Sequence, residues 1–216
     1  MLKTLGMIIL AGAGISTGLM LTGSPTIKAA ASDEKPSAEL KLAPTKFKAA
    51  EGANLERAIF AGGCFWGTEF HFRTVKGVTA TAVGYTGGHK ENPTYKEVCY
   101  TNTGHAEGVM LEFDPKVVSY RELVDQFWEI HNPTTKNRQG PDIGSQYRSA
   151  IYTLNDEQMK VALQSKKEAA KMFSAPIVTE IVKASPFYMA EDYHQQYAEK
   201  TGKASCPIDR SNHIGG

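Results

Sequence analysis

Apolar and polar positions change their period several times along the chain, and each change marks an element. Leu5 to Leu21 is apolar and free of charge. Ser32 to Asn54 is Lys, Glu, Ala, Ser and Pro with Phe47 as its one aromatic, too little apolar surface to offset the entropy of ordering it. Arg57-Ala58-Ile59-Phe60-Ala61 then reads as a short buried strand stopped by Gly62-Gly63. Apolar positions at Phe65, Trp66, Phe70, Phe72 and Val75 predict a helix that ends at Gly77. Val78 to Tyr85 alternates Val, Thr and Ala as a strand does, and Glu107 to Phe113 alternates again until Asp114-Pro115. Between them Gly84 to Gly104 is rich in Gly, Asn, Thr and Tyr, a long loop of the kind that carries function in a compact domain. Tyr120, Leu123, Val124, Phe127, Trp128 and Ile130 have helical spacing, and a second polar loop, Asn132 to Gln146, leads to a strand over Tyr147 to Leu154. Asn155 or Asp156 caps a predicted helix reaching about Phe173, Ile177 to Val182 reads as a strand, and Glu191 to Lys200 as a last helix. Strands alternating with helices, with one adjacent pair lacking a helix between them, predict an α/β (α+β) fold: a mixed sheet covered by helices.

The first apolar run changes the picture before any chemistry does. Lys3 precedes it and Thr26-Ile27-Lys28-Ala29-Ala30-Ala31 follows, the positive start, apolar centre and small-residue site of a secretory leader cut after Ala31 or one residue earlier. The competing reading is an uncleaved anchor, for which the run is at the short limit and is weakened by glycine and threonine. The expected organisation is therefore a signal peptide over residues 1–31, a flexible linker over 32–54, and a catalytic domain over 55–216 with a mobile tail from about residue 201. Export, most simply to a periplasm, follows, with no stable membrane domain once the leader is gone and a monomer as the expected state. The formal charge is +1 and no stretch gathers Lys and Arg, which argues against a nucleic-acid partner. Three cysteines are too few for a disulfide-stapled miniprotein.

Gly62-Gly63-Cys64-Phe65-Trp66-Gly67 sets a thiol where a strand stops and a helix starts. Amide N–H groups at a helix N-terminus and the helix dipole stabilise a thiolate. The flanking glycines allow a tight turn and leave room for a substrate. A buried cysteine beside core aromatics is the bland alternative, and mechanism alone leaves the two about level.

From this point the chain resembles a known family. Gly63-Cys64-Phe65-Trp66-Gly67 is similar to the motif of the A-type peptide methionine sulfoxide reductases. The match continues through Gly84-Tyr85-x-Gly87-Gly88, Asn92-Pro93-Thr94-Tyr95, Val98-Cys99 and Thr103-Gly104-His105-Ala106-Glu107. It resumes at Gln139-Gly140-x-Asp142-x-Gly144-x-Gln146-Tyr147-Arg148-Ser149, Pro186-Phe187-Tyr188 and His194-Gln195-Gln196-Tyr197. One such pentapeptide is a weak signal; this many in consecutive order is a strong one. The resemblance implies a ferredoxin-like two-layer sandwich and the reduction of methionine S-sulfoxide, protein-bound or free, without metal or organic cofactor.

It also implies roles. Cys64 is the nucleophile that attacks the sulfoxide sulfur and becomes a sulfenic acid. Glu107 matches the family's acid, which must hold its proton near neutral pH; raising a glutamate from about 4.3 to 6–7 takes roughly 2–4 kcal/mol, for which burial is the plausible source. Without the resemblance Glu107 reads as a solvent-facing residue at the start of a strand. Tyr85 and Tyr147 match tyrosines whose hydroxyls address the sulfoxide oxygen, Asp142 a carboxylate acting nearby through water, and Phe65 and Trp66 the apolar cage for the substrate methyl group. Cys206, in Lys203-Ala204-Ser205-Cys206-Pro207, stands where many members carry a recycling cysteine, although the Gly-Tyr-Cys-Gly context common in the family is absent. Cys99 matches a position that is usually not the resolver and reads as a reduced, structural thiol. An external dithiol such as thioredoxin is the implied electron donor.

Three other classes are distinguishable. His105-Ala106-Glu107 fits half of a zinc deaminase site, but no Cys-x-x-Cys completes it. A Cys–His hydrolase would pair Cys64 with His105, His131 or His194 and form no disulfide. A non-enzymatic binding module would use Phe65, Trp66, Tyr85 and Tyr147 as an apolar pocket and would tolerate loss of the Cys64 thiol.

Overall fold

The computed structural model describes residues 54–203 and 212–214. The expected leader, all but the last residue of the linker, and Cys206 lie outside the described residues.

The chain opens with β1 (Glu56–Gly62), α1 (Phe65–Arg73), β2 (Val78–Thr86), a short α2 (Tyr95–Tyr100) and β3 (Ala106–Phe113). It continues with α3 (Tyr120–Glu129), two two-residue strands β4 (Arg138–Gln139) and β5 (Asp142–Ile143), a 3₁₀ turn at Ser145–Tyr147, β6 (Ser149–Thr153) and α4 (Asp156–Ala169). A 3₁₀ turn at Ala170–Met172, β7 (Glu180–Lys183), β8 (Tyr188–Met189) and α5 (Tyr197–Thr201) complete the described elements. The main sheet runs β7-β6-β1-β3-β2-β8; β4 and β5 pair separately as a hairpin. Its neighbours are antiparallel except β6 and β7, which are parallel. The sheet is thus mixed and helix-covered, as the alternation of elements implies.

Period-two alternation decides which residues meet the helices. In β1, Ala58 and Phe60 turn to one face; register puts Ala58 opposite Leu111 and Phe60 opposite Val109 of β3, with Val83 of β2 opposite Val109 again. These residues form the main core with Phe72 of α1, Leu123, Val124 and Phe127 of α3 and Ala162 of α4. Phe60 stacks on Phe72 and Phe127 with ring centroids 4.9 and 5.2 Å apart. The other face carries a smaller cluster around Ile59, Met110, Tyr152 and Phe187. The β3 row Glu107-Val109-Leu111-Phe113 lies on the helix side, so a glutamate ends an otherwise apolar stripe.

Local chemistry starts the helices where the sequence allows. Thr94/Glu97 and Ser119/Glu122 form reciprocal capping boxes on α2 and α3, and Asn155 rather than Asp156 caps α4. Each such cap contributes about 1 kcal/mol. Several expected bounds shift. α1 stops at Arg73, and the strand expected from Tyr147 starts at Ser149 because Ser145–Tyr147 closes as a 3₁₀ turn. The expected strand at 177–182 is β7 at Glu180–Lys183. The largest change is the expected helix over 191–200: only Tyr197–Thr201 is helical, because Gln196 takes a left-handed conformation with φ 49°. Gln195 uses its side-chain amide as a strand would, accepting from Val83 N and donating to Val83 O, each at 2.9 Å, where β8 no longer covers the edge of β2. Among the described residues no helix is long and apolar enough to cross a membrane.

Candidate active site

The turn between β1 and α1 sets the geometry of the site. Gly63 has φ +95°, and a Cβ there would stand 2.5 Å from Cγ of Gln139, so glycine is required twice over. Cys64, half-buried, is the residue before the first helical one, and its side chain makes no capping bond to α1. The amide of Phe65 is taken instead by Glu107, which accepts it at Oε2 at 3.0 Å. A carboxyl from the middle of the sheet thus sits on the first amide after Cys64, at the positive end of the helix dipole. Glu107 is 2% exposed, against the solvent-facing position its place at a strand start would ordinarily suggest. The signal that could have indicated burial is the stripe itself, because Glu107 continues the alternation of Val109, Leu111 and Phe113.

Tyr85 lies directly opposite Glu107 in the β2–β3 register and shares its face. Its ring is fully buried and its hydroxyl donates to Glu191 Oε2 at 2.8 Å. Burial first, then Glu191, then Glu107, push this phenol far above the usual tyrosine range. The expectation that Tyr85 addresses a substrate oxygen is therefore corrected: its hydroxyl is committed inside the protein. Tyr95, which sequence reasoning passed over, is a half-buried phenol of this region. Its ring stacks near Phe65, with centroids 6.5 Å apart. Burial, then the charge of Glu107 and a hydrogen bond with Cys99, raise its pKa. The signal lay in the quoted Pro93-Thr94-Tyr95 motif, but nothing local distinguishes its tyrosine from Tyr85.

Phe65 is 1% exposed and is the packed floor of an aromatic nest formed with Trp66, Tyr85, Tyr95 and His194. Trp66 is half-buried, lies flat on Tyr197 at 3.8 Å and donates its indole N–H to Nδ1 of His194 at 3.1 Å. Tyr147 is half-buried at the end of its 3₁₀ turn. Burial raises its pKa most, followed by the charges of Glu107, Cys99, Asp142 and Cys64. Burial also lifts the Asp142 carboxyl above its ordinary range. Cys99 has its thiol pushed up by burial, while the Tyr95 hydroxyl beside it pulls the other way.

A narrow cleft of about 30 Å³, enough for a water molecule, reaches Cys64 between Thr68, His71, Ile130, His131, Gln139 and Asp142. Glu107 and the three phenols are not in its walls, so Cys64 stands between this cleft and the Glu107 side. In its wall, His131 is fully buried and has both ring nitrogens engaged, with Phe127 O at 2.6 Å and Ser149 Oγ at 2.7 Å. A carbonyl can only accept, so Nδ1 carries the proton and Nε2 receives the serine hydroxyl. Burial holds the pKa down at about 4. The unfolded chain takes up this proton below about pH 6.5 and the folded one does not, so stability is complete above that pH and is lost as pH falls toward 4. We expect about 3 kcal/mol of unfolding free energy to disappear over that range in denaturant titrations, and His131→Gln to flatten the slope. An equal slope in both proteins would show another group to be responsible.

His105 is likewise closed off, its Nδ1 accepting from Gly88 N at 3.2 Å and Nε2 lying 2.7 Å from Lys90 O. Two of the three histidines open to a hydrolase are therefore engaged elsewhere. Among the described residues no group of three or more His, Cys, Asp or Glu side chains could hold a metal ion.

Comparison with known proteins adds four findings. Residues 56–214 match the family model described as peptide methionine sulfoxide reductase. A peptide methionine sulfoxide reductase MsrA of Methanosarcina acetivorans is 66% identical over 153 residues, 70% of this chain and 81% of that protein. Among solved structures, Mxr1 from Saccharomyces cerevisiae in reduced form superimposes with a TM-score of 0.67 at 37% identity, over 70% of this chain and 88% of that one. The same protein solved in complex with Trx2 matches with a TM-score of 0.51 at 27% identity, over 78% of this chain and 95% of that one.

Proposed function

We propose a mechanism from one premise: this chain belongs to the peptide methionine sulfoxide reductase family, enzymes that reduce methionine sulfoxide and so repair oxidised proteins. The Cys64 thiolate attacks the sulfoxide sulfur while Glu107 gives its proton to the oxygen. The oxygen passes to Cys64, methionine leaves, and the enzyme holds a sulfenic acid. Tyr95 and Tyr147 donate hydrogen bonds to the developing oxyanion. Their raised pKa values suit this, since a donor must keep its proton. Trp66 over the Phe65 floor receives the methyl group, and Asp142 acts across the water-sized cleft. The S epimer is the substrate, a preference carried over from the A-type family that the motifs resemble, each epimer having its own enzyme. The observation that carries this reading is the burial of Glu107, 2% exposed, beside the residue that follows Cys64: burial favours the protonated acid, and the contact with the Phe65 amide shows its nearness to the thiol.

The oxidised enzyme is then resolved. The Cys206 thiol attacks the Cys64 sulfenic sulfur, forming a disulfide and releasing water, and an external dithiol reduces the bridge. The solved Mxr1–Trx2 complex supports a thioredoxin-like protein in that role. The leader over residues 1–31 directs the enzyme out of the cytoplasm. Mass spectrometry after one turnover without reductant tests the scheme. A Cys64–Cys206 bridge is the expected result, and a Cys64–Cys99 bridge would replace Cys206 as resolver.

A further inference from the structure

Glu191 lies in the turn ahead of α5, and nothing in the reaction above uses it. Its carboxylate nevertheless grips two parts of the site at once. Oε1 accepts the backbone N–H of Tyr95 at 2.9 Å, and Oε2 accepts the hydroxyl of Tyr85 at 2.8 Å. The first bond takes up one of the unpaired amides in the opening turn of α2, at the very residue whose phenol faces the nest. The second ties the same carboxylate to β2, at the tyrosine paired with Glu107. A third neighbour is Nε2 of His194, 3.9 Å from Oε2. Because Trp66 donates to Nδ1 of His194, the proton of the neutral ring is on Nε2, which is buried without a hydrogen-bond partner.

We propose that Glu191 is a positioning residue for the reduction: by bridging the Tyr95 amide to the Tyr85 hydroxyl, it fixes where the Tyr95 phenol stands over the Phe65 floor. The six-residue α2 needs such a clamp, since a helix that short has little stability of its own. Reach matters more than charge here. Gln keeps an acceptor for the Tyr95 amide and a polar partner for Tyr85, whose hydroxyl can turn to accept. Asp keeps the charge but is one methylene too short to hold both.

This inference rests on Tyr95 acting as the phenol donor, and the test separates the two. Single-turnover methionine release is measured for E191Q, E191D, Y95F and E191D/Y95F, with thermal melting to confirm folding. E191Q should remain within about threefold of wild type, and E191D should fall about tenfold or more. Y95F should cost about tenfold or more in wild type but no more than about threefold on top of E191D, because the phenol is already misplaced there. A wild-type-like E191D, or a full Y95F penalty in both backgrounds, would overturn the proposal. So would a tenfold slower E191Q, which decides the matter even if E191D does not fold. A silent Y95F in wild type would remove the role of Tyr95 itself, and the proposal with it.

Discussion

Cys64→Ser should leave a folded protein that releases methionine from the sulfoxide about 10³–10⁴-fold more slowly than wild type, while melting no lower. Sulfur is soft, polarisable and ionisable near neutral pH; a serine hydroxyl is none of these, and its oxygen is a poor nucleophile toward sulfoxide sulfur. The two effects separate because serine is the better residue at the position that opens α1. Cys64 is half-buried, and its side chain leaves α1 uncapped. Serine is among the preferred residues at that position and could add up to about 1 kcal/mol by accepting an amide of the first turn. Activity and melting temperature measured on one preparation check both halves. A variant keeping several per cent of wild-type turnover would mean that Cys64 is not the nucleophile.

Glu107→Gln is expected to have the next largest effect, a loss of about 10²–10⁴ in the rate of methionine release with little change in KM. The substitution is nearly isosteric, and its amide oxygen can still accept the Phe65 N–H that Glu107 now accepts at 3.0 Å. Helix start, sheet register and packing should therefore survive, and only the transferable proton is removed. An interaction made in the transition state lowers kcat and kcat/KM together, whereas lost substrate binding would raise KM alone. Steady-state kinetics with circular dichroism distinguish them. If KM rises and kcat stays, Glu107 is a binding group and the proton comes from elsewhere.

The difference between Tyr85 and Tyr95 shows where sequence reading reached its limit. Both lie in motifs that match the family, both are aromatic, and no local pattern ranks one over the other. What separates them is the partner of Tyr85, Glu191, 106 residues further along the chain. Short elements were missed for a related reason. α2 spans six residues, and β4, β5 and β8 two each, less than the length over which a period shows. The segment at 191–196 has a helical pattern but is held open by the left-handed Gln196 and by the amide of Gln195 on the edge of β2.

The sequence by itself determined the strand–turn–helix that carries Cys64, the alternating strands β2 and β3, the amphipathic α3, and the chemistry a thiol at that turn makes available. These follow from contacts between residues close in the chain, where side-chain period and glycine conformation act directly on the backbone. Only the tertiary structure decided that Glu107 is buried against the amide of Phe65, that the Tyr85 hydroxyl is taken by Glu191, and that the same carboxylate holds the Tyr95 amide. Those outcomes depend on which distant groups compete for each buried donor and acceptor, and that competition exists only once the sheet register has brought them together.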